Sequence, residues 1–140
     1  MALFNSFKKS IMDGSIDLDT DNINVSLHTD AFSADIDTMD FYNDVTSTEV
    51  AQANGYTTKG KTLASPVVSV DTTNDLAYFD ATDLTWATST ITARYALIWK
   101  NSGTNTTSPL IGYVDFSANK TSDNGNFIIT WSSAGILKLT

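Results

Sequence analysis

Apolar and polar residues alternate with a period of two over much of the chain, beginning at Ile23. Ile23, Val25 and Leu27 alternate with Asn24 and Ser26. Because successive side chains of a β-strand point to opposite faces, this alternation predicts a strand that is buried on one face only. The first predicted strand is therefore half-buried, with its apolar side chains facing a core.

Further strand patterns recur from residue 63 to the C-terminus, separated by clusters of Asp, Asn, Ser and Thr that favour turns. The strongest pattern covers residues 91–99 and predicts that alternate positions share one face: Ile91, Ala93, Tyr95, Leu97 and Trp99. Another strong pattern covers residues 127–131. We predict that the two strands contribute to one core through the following residues: Tyr95, Leu97, Trp99, Phe127, Ile129 and Trp131.

The remaining strand signals define the expected fold class. Gly112 lies inside a predicted strand at residues 110–116, which indicates a bulge or a close backbone contact. Asn124 and Gly125 favour a tight turn with positive φ. Residues 127–131 and 136–139 are predicted to pair as a hairpin. About seven or eight strands in one chain predict a mainly β fold, an antiparallel, jelly-roll-like β-sandwich.

The N-terminal residues follow a helical period instead. Four apolar residues recur at helical spacing ahead of the first strand: Leu3, Phe4, Phe7 and Ile11. They predict a short amphipathic helix over residues 2–12 that ends at Asp13 and Gly14. We therefore divide the chain into an N-terminal helix or arm, residues 1–22, and a β-sandwich domain, residues 23–140. So short a helix is marginal alone, so the sandwich or a neighbouring subunit must cover its apolar face.

Residues 30–55 follow neither period. Met39, Phe41, Tyr42 and Val45 are compatible with one helical turn or with a loop that wraps the sandwich. Long irregular segments in a compact domain are usually functional, or they pack through their own apolar side chains. The sequence leaves both alternatives open.

Charge and composition argue against several classes of partner. Asp and Glu number 16 against 8 Lys and Arg, so the net charge is −8. An acidic surface is unsuited to nucleic-acid phosphates and to anionic lipids, so we expect neither nucleic acid nor membrane as a partner. The chain has no cysteine, which removes disulfides, thiolate metal sites and cysteine nucleophiles.

Candidate chemistry in the sequence is sparse. His28 is the only histidine, and without a G-x-S-x-G pattern it does not indicate a Ser-His-Asp triad. Asp17, Asp19 and Asp21 alternate but lack the Gly and Glu of an EF-hand loop, so they fit a solvent-facing edge or a structural cation. Asp35, Asp37 and Asp40 allow the same two interpretations.

Aromatic residues and isolated carboxyl groups give no clearer signal. Trp86, Trp99 and Trp131 could form a platform that stacks on sugars, but aromatic residues at alternating strand positions are more often in the core. Asp115 is predicted to point outward from its strand. We therefore expect no enzyme, catalytic residue, cofactor or metal site, and a protein that binds or builds a structure.

Several stretches resemble a group of small tailed-bacteriophage virion proteins. The opening MALFNSFKK and the later DIDTMDFYNDV and SPLIGYVDF carry much of the likeness. It extends over nearly the whole chain, at residues 1–9, 13–14, 16–21, 35–45, 55–56, 70–75, 90–95 and 108–116. The group has no catalytic motif to transfer to this sequence.

The resemblance implies a capsid cement or decoration protein on the outer surface of the virion. Its expected partners are the major capsid protein and further copies of itself, as a dimer or a trimer. The helix and the segment 30–55 would be the arms that reach a neighbour, through these interface residues: Leu3, Phe4, Phe7, Ile11, Phe41 and Tyr42. A tail or fibre component and a carbohydrate-binding β-sandwich module are the alternatives.

Overall fold

A computed structural model describes residues 1–140 and contains ten β-strands and one α-helix, α1, at Asn5–Met12. The strands in chain order are β1 Ala2–Leu3, β2 Ile23–His28, β3 Lys61–Thr62, β4 Val67–Asp71, β5 Leu76–Asp80, β6 Leu84–Ser89, β7 Thr92–Lys100, β8 Leu110–Thr121, β9 Gly125–Ile129 and β10 Leu137–Leu139. Three short 3-10 helices lie at Tyr42–Asp44, Thr46–Thr48 and Asn105–Thr107. Strands and isolated β-bridges together make up 43% of the chain and helices 12%, so the predicted mainly β class is confirmed.

The strands form antiparallel sheets that pack as a sandwich. The largest sheet has the order β1-β8-β7-β2-β3, and smaller sheets have the orders β10-β5-β4 and β6-β9. The main core lies between the large sheet and the two small ones. It joins Val25 and Ile98 of the large sheet to Phe79, Trp86 and other residues of the small sheets.

A second apolar cluster covers the outer face of the large sheet. It consists of Phe4, Phe32, Tyr42, Val45, Leu97, Trp99 and Leu110. Phe32, Tyr42 and Val45 belong to residues 30–55, so these residues wrap the sandwich and bury their own aromatic side chains. We call residues 30–55 the wrapping segment. The wrapping also explains why all six residues of β2 are buried, whereas the sequence predicted a half-buried strand.

A register shift in β7 separates residues that were predicted to share a core. The pairing of β7 with β8 shifts between Ala93 and Tyr95. Ala93 therefore belongs to the main core, and Leu97 and Trp99 belong to the outer cluster. Phe127 and Ile129 lie in the main core, so the prediction of one core shared by both strands is wrong. Ala93 and Leu97 thus face opposite sides of the large sheet, although a regular strand would place both on one face.

The N-terminal segment packs directly on the sandwich. Residues 2–3, predicted as the start of the helix, instead form β1, which pairs with Tyr113 and Gly112 of β8. A Cβ added to Gly112 would lie 2.6 Å from the carbonyl oxygen of Ala2. Gly112 thus makes the close backbone contact that the sequence named as one of two alternatives. The register also shifts beside it, between Ile98 and Trp99 of β7, which agrees with the other alternative, a bulge.

The C-terminal strands pair with distant partners. β9 pairs with β6, and β10 pairs with β5. The predicted hairpin between residues 127–131 and 136–139 is therefore wrong. Asn124 does adopt the predicted positive φ, at 47°.

Candidate functional site

Polar residues on one face of β2 lie beneath the wrapping segment. Asn24, Ser26 and His28 alternate with the core residues of the strand and are all buried. Ser26 lies opposite Leu97, and His28 lies opposite Tyr95, on the face that bears the outer cluster. The strand therefore places the only histidine of the chain inside the protein.

The hydrogen bonds around His28 form a chain that assigns its tautomer. The Thr48 hydroxyl donates to the carbonyl oxygen of Val45 at 3.0 Å, so it accepts from His28 Nδ1, also at 3.0 Å. His28 Nε2 is then an acceptor for the Ser26 hydroxyl at 2.9 Å. Ser26 Oγ in turn accepts from the Trp99 indole N–H at 3.2 Å. Burial disfavours the charged ring, so the imidazole is neutral with its proton on Nδ1.

The Ser26–His28 pair has the spacing of a nucleophile and its base, but its surroundings do not fit catalysis. Both residues have no exposed surface, so a substrate cannot reach the serine. The Nδ1 partner is the Thr48 hydroxyl, where a triad has a carboxylate. The pair is part of a polar network that ties β2 to the wrapping segment.

Acidification should destabilise the protein through His28. Burial lowers the pKa of His28 from 6.5 to about 3. Between these values the unfolded chain binds a proton that the folded chain does not. The contribution of His28 to the free energy of unfolding is therefore retained above pH 6.5. Below that pH the free energy of unfolding should fall, by a slope that approaches about 1.4 kcal/mol per pH unit. Urea unfolding of the parent and of His28→Gln between pH 6.5 and 5 checks this, because the variant should lose that slope. An equal slope in both proteins would contradict the assignment.

Glu49, the only glutamate, gathers three hydrogen bonds beside this network. Its Oε1 accepts from the Tyr56 hydroxyl at 2.7 Å and from the Lys59 N–H at 2.6 Å, and its Oε2 accepts from the Tyr42 hydroxyl. Burial and the neighbouring carboxylate raise the pKa of Tyr42 and that of Tyr56. Both phenols therefore stay protonated and donate to Glu49. These hydrogen bonds connect the wrapping segment to the loop that follows it.

The six predicted interface residues occupy different environments. Phe4 and Tyr42 lie fully buried in the outer cluster, and Phe7 lies fully buried in the main core. Leu3 and Ile11 are partly buried against the main core. The protein's own sandwich therefore covers the helix, which is one of the two alternatives that the sequence left open, and the interface role of these residues stays a prediction.

Phe41 is the exception, with 39% of its surface exposed. It precedes Tyr42, whose ring stacks on Trp99 with centroids 3.9 Å apart. The two neighbouring aromatic residues therefore point in different directions, one to solvent and one into the outer cluster.

The aspartates accept hydrogen bonds within turns and form ion pairs. Asp21 accepts from the N–H of Asp17 at 2.8 Å and pairs with Lys100 at 2.8 Å. Asp115 is exposed and pairs with Arg94, which lowers the pKa of its carboxyl group. No group of three or more His, Asp or Glu side chains is arranged to hold a metal ion in residues 1–140.

The tryptophans do not form a platform. Trp86 lies buried in the main core, and Trp99 lies buried in the outer cluster. Trp131 is only partly buried and lines a groove of about 720 Å³ between β8, β9 and the residues that precede β10. We call this the β8–β9 groove and define it by its apolar lining: Met1, Val114, Phe116, Ile128, Trp131 and Ile136.

A second apolar surface lies on the hairpin of β4 and β5. Val67, Val68 and Val70 of β4 are all exposed, and Val70 has 72% of its surface exposed. We call this strand the β4 edge. Sequence reasoning identified neither surface, and it also missed Ser26 as a partner of His28, although their i, i+2 spacing on a strand places them on one face.

Comparisons with known proteins give no relative. No family model, no curated protein and no solved structure matches the chain. No helix has both the length and the hydropathy that a membrane crossing requires.

Proposed function

We propose that the chain is a non-enzymatic structural protein of a tailed-phage virion. In this proposal it binds the outside of the capsid as a cement or decoration protein, and the β8–β9 groove contacts the major capsid protein. The observation that carries the proposal is the groove itself, a large concave surface with apolar and aromatic lining. The resemblance of the sequence to small virion proteins supplies the class of partner.

The chemistry of the groove suits attachment to a protein. Phe116 and Trp131 are of the residue type that anchors interfaces, and Ile128 adds an aliphatic side chain that is 55% exposed. Lys120 has the only charged side chain in its lining. Even a weak contact suffices for such a role, because repetition over a capsid lattice adds effective concentration.

The location of the reactive groups supports a structural role over an enzymatic one. The only histidine and its serine partner have no exposed surface. A carbohydrate-binding module would stack sugars on exposed aromatic rings, and of the three tryptophans Trp86 and Trp99 are buried, which leaves only Trp131 accessible. A tail or fibre component differs from cement only in its place on the particle.

Co-sedimentation with capsids tests the proposal. Purified protein is mixed with heads prepared without it, the heads are pelleted, and the bound protein is quantified against input. We expect saturable binding that Ile128→Asp weakens by at least about tenfold, because the new carboxylate must be desolvated in an apolar contact. Thr57→Asp adds the same charge to an exposed position and is the matched control.

Two outcomes would overturn this function. Absence of saturable binding to heads would reject the cement role, and binding to tails alone would replace it with the tail component. Equal binding by the parent and Ile128→Asp would exclude the groove as the contact surface.

A further inference from the structure

The β4 edge has an unused row of backbone hydrogen-bonding groups. β4 is the outer strand of the order β10-β5-β4 and pairs with β5 alone. No backbone hydrogen bond outside that pairing involves residues 67–70. A free edge of this kind is a template for another strand.

The other edges differ from β4. β1 and β3 have two residues each, β10 has three residues including Lys138, and β6 has a register shift after Trp86. Short length, edge lysines and bulges all discourage strand addition. β9 borders the β8–β9 groove. β4 is therefore a five-residue edge with none of these features, and it carries three exposed valines.

The register of the small sheet places apolar residues in two rows on one face. Val68, Phe79 and Leu137 form the first row, in which Phe79 and Leu137 reach the main core. Val70, Ala77 and Leu139 form the second row. Val70 and Leu139 are 72% and 47% exposed, so this row extends beyond the core.

The sequence of β4 complements itself in an antiparallel arrangement. When two copies pair about Ser69, Val68 of one copy lies opposite Val70 of the other. The row that contains Val68 in each copy then continues into the row that contains Val70 in the other copy. Asp71, the only charged residue of the strand, lies opposite Val67. A parallel arrangement would instead bring the two Asp71 side chains together, which is unfavourable.

We propose that the β4 edge pairs with the β4 edge of a second copy, forming a two-fold dimer with a continuous six-stranded sheet. The occupant is a second copy because a two-fold axis through Ser69 matches the apolar rows and separates the only charges on the strand. Such an interface is isologous and closed, so it yields a dimer without forming a fibre. This inference does not depend on attachment to a capsid.

Sedimentation of the full chain in solution tests the dimer. We expect a species of twice the 15.1 kDa chain mass. Val70→Asp should raise the dissociation constant by at least about tenfold, because it places a charge inside the apolar row. Ile128→Asp, an equal change on the exposed face of β9, should leave the dimer intact. Because each copy carries a charge of −8, added salt should strengthen the association.

Cross-linking tests the register. The chain has no cysteine, so Ser69→Cys introduces a single thiol at the proposed axis, and a short bis-maleimide should join two copies through it. Thr57→Cys should give no such product. Circular dichroism and thermal melting verify that each variant is folded.

A parent chain that stays monomeric at its highest soluble concentration would overturn the proposal. So would a dimer that persists in folded Val70→Asp, or one that Ser69→Cys does not cross-link. Loss of head binding by Val70→Asp without any dimer of the parent would identify a capsid strand as the occupant instead. Attachment to capsids and dimerisation are tested independently. Ile128→Asp tests the groove on heads, and Val70→Asp tests the dimer in solution.

Discussion

Replacing Trp99 by alanine should lower the free energy of unfolding by about 3–5 kcal/mol. Trp99 has no exposed surface, and its ring stacks on Tyr42 with planes 17° apart. The substitution leaves a large cavity in the outer cluster, and it removes the indole N–H that donates to Ser26. The loss is a large fraction of the stability of a typical domain. Urea unfolding followed by circular dichroism measures it.

Two other tryptophan variants serve as controls for this prediction. Trp99→Phe keeps an aromatic ring against Tyr42 and should lose less stability than Trp99→Ala. Trp131→Ala should also lose less, because Trp131 is only partly buried. If Trp99→Ala unfolds at the same urea concentration as the parent, the described packing of the outer cluster is incorrect.

The fold class was predictable because composition and periodicity act locally. Asp and Ser favour turns and Thr also favours strands, and the alternation from Ile23 to Leu27 matches β2 almost residue for residue. The helix was also predicted, with an error at its start. Residues 2–3 extend into β1 because Gly112 lets the backbone of Ala2 approach β8 closely, and this long-range contact is not visible in a helical period.

The division of the core was not predictable from the pattern of β7. Ala93, Tyr95 and Leu97 occupy positions that a regular strand places on one face. The register shift between Ala93 and Tyr95 depends on the pairing with β8, which lies later in the chain. A pattern within one strand therefore cannot reveal that Ala93 and Leu97 belong to two separate clusters.

The candidate surfaces escaped prediction for a related reason. Exposed Val70 and Ile128 lie in strand patterns that look like core patterns, and only the arrangement of the sheets shows which side chains are left uncovered. β4 lies at the edge of its sheet because β5 is its only partner, and β10 pairs with β5 on the side away from β4. The pairing partners of β9 and β10 are equally non-local, which is why a local hairpin was the incorrect expectation.

Replacing Phe7 by alanine should also lower the free energy of unfolding by about 3–5 kcal/mol. Phe7 is the one buried residue of α1, and its ring packs in the main core. A helix of eight residues has little stability of its own, so it depends on this contact and on Phe4 in the outer cluster. Deletion of residues 2–12 removes both rings together with β1, and we expect no cooperatively folded protein from it.

Lys8→Ala and Met12→Ala are the matched controls on the same helix. Both side chains are exposed, so each variant should stay within about 0.5 kcal/mol of the parent. The comparison also separates a structural helix from an assembly arm. If Phe7→Ala kept the stability of the parent but lost self-association or attachment to heads, Phe7 would belong to an interface, and the packing of the helix on its own sandwich would be wrong. Loss of stability in Phe7→Ala, with both controls unchanged, would establish that the helix completes the core of its own chain.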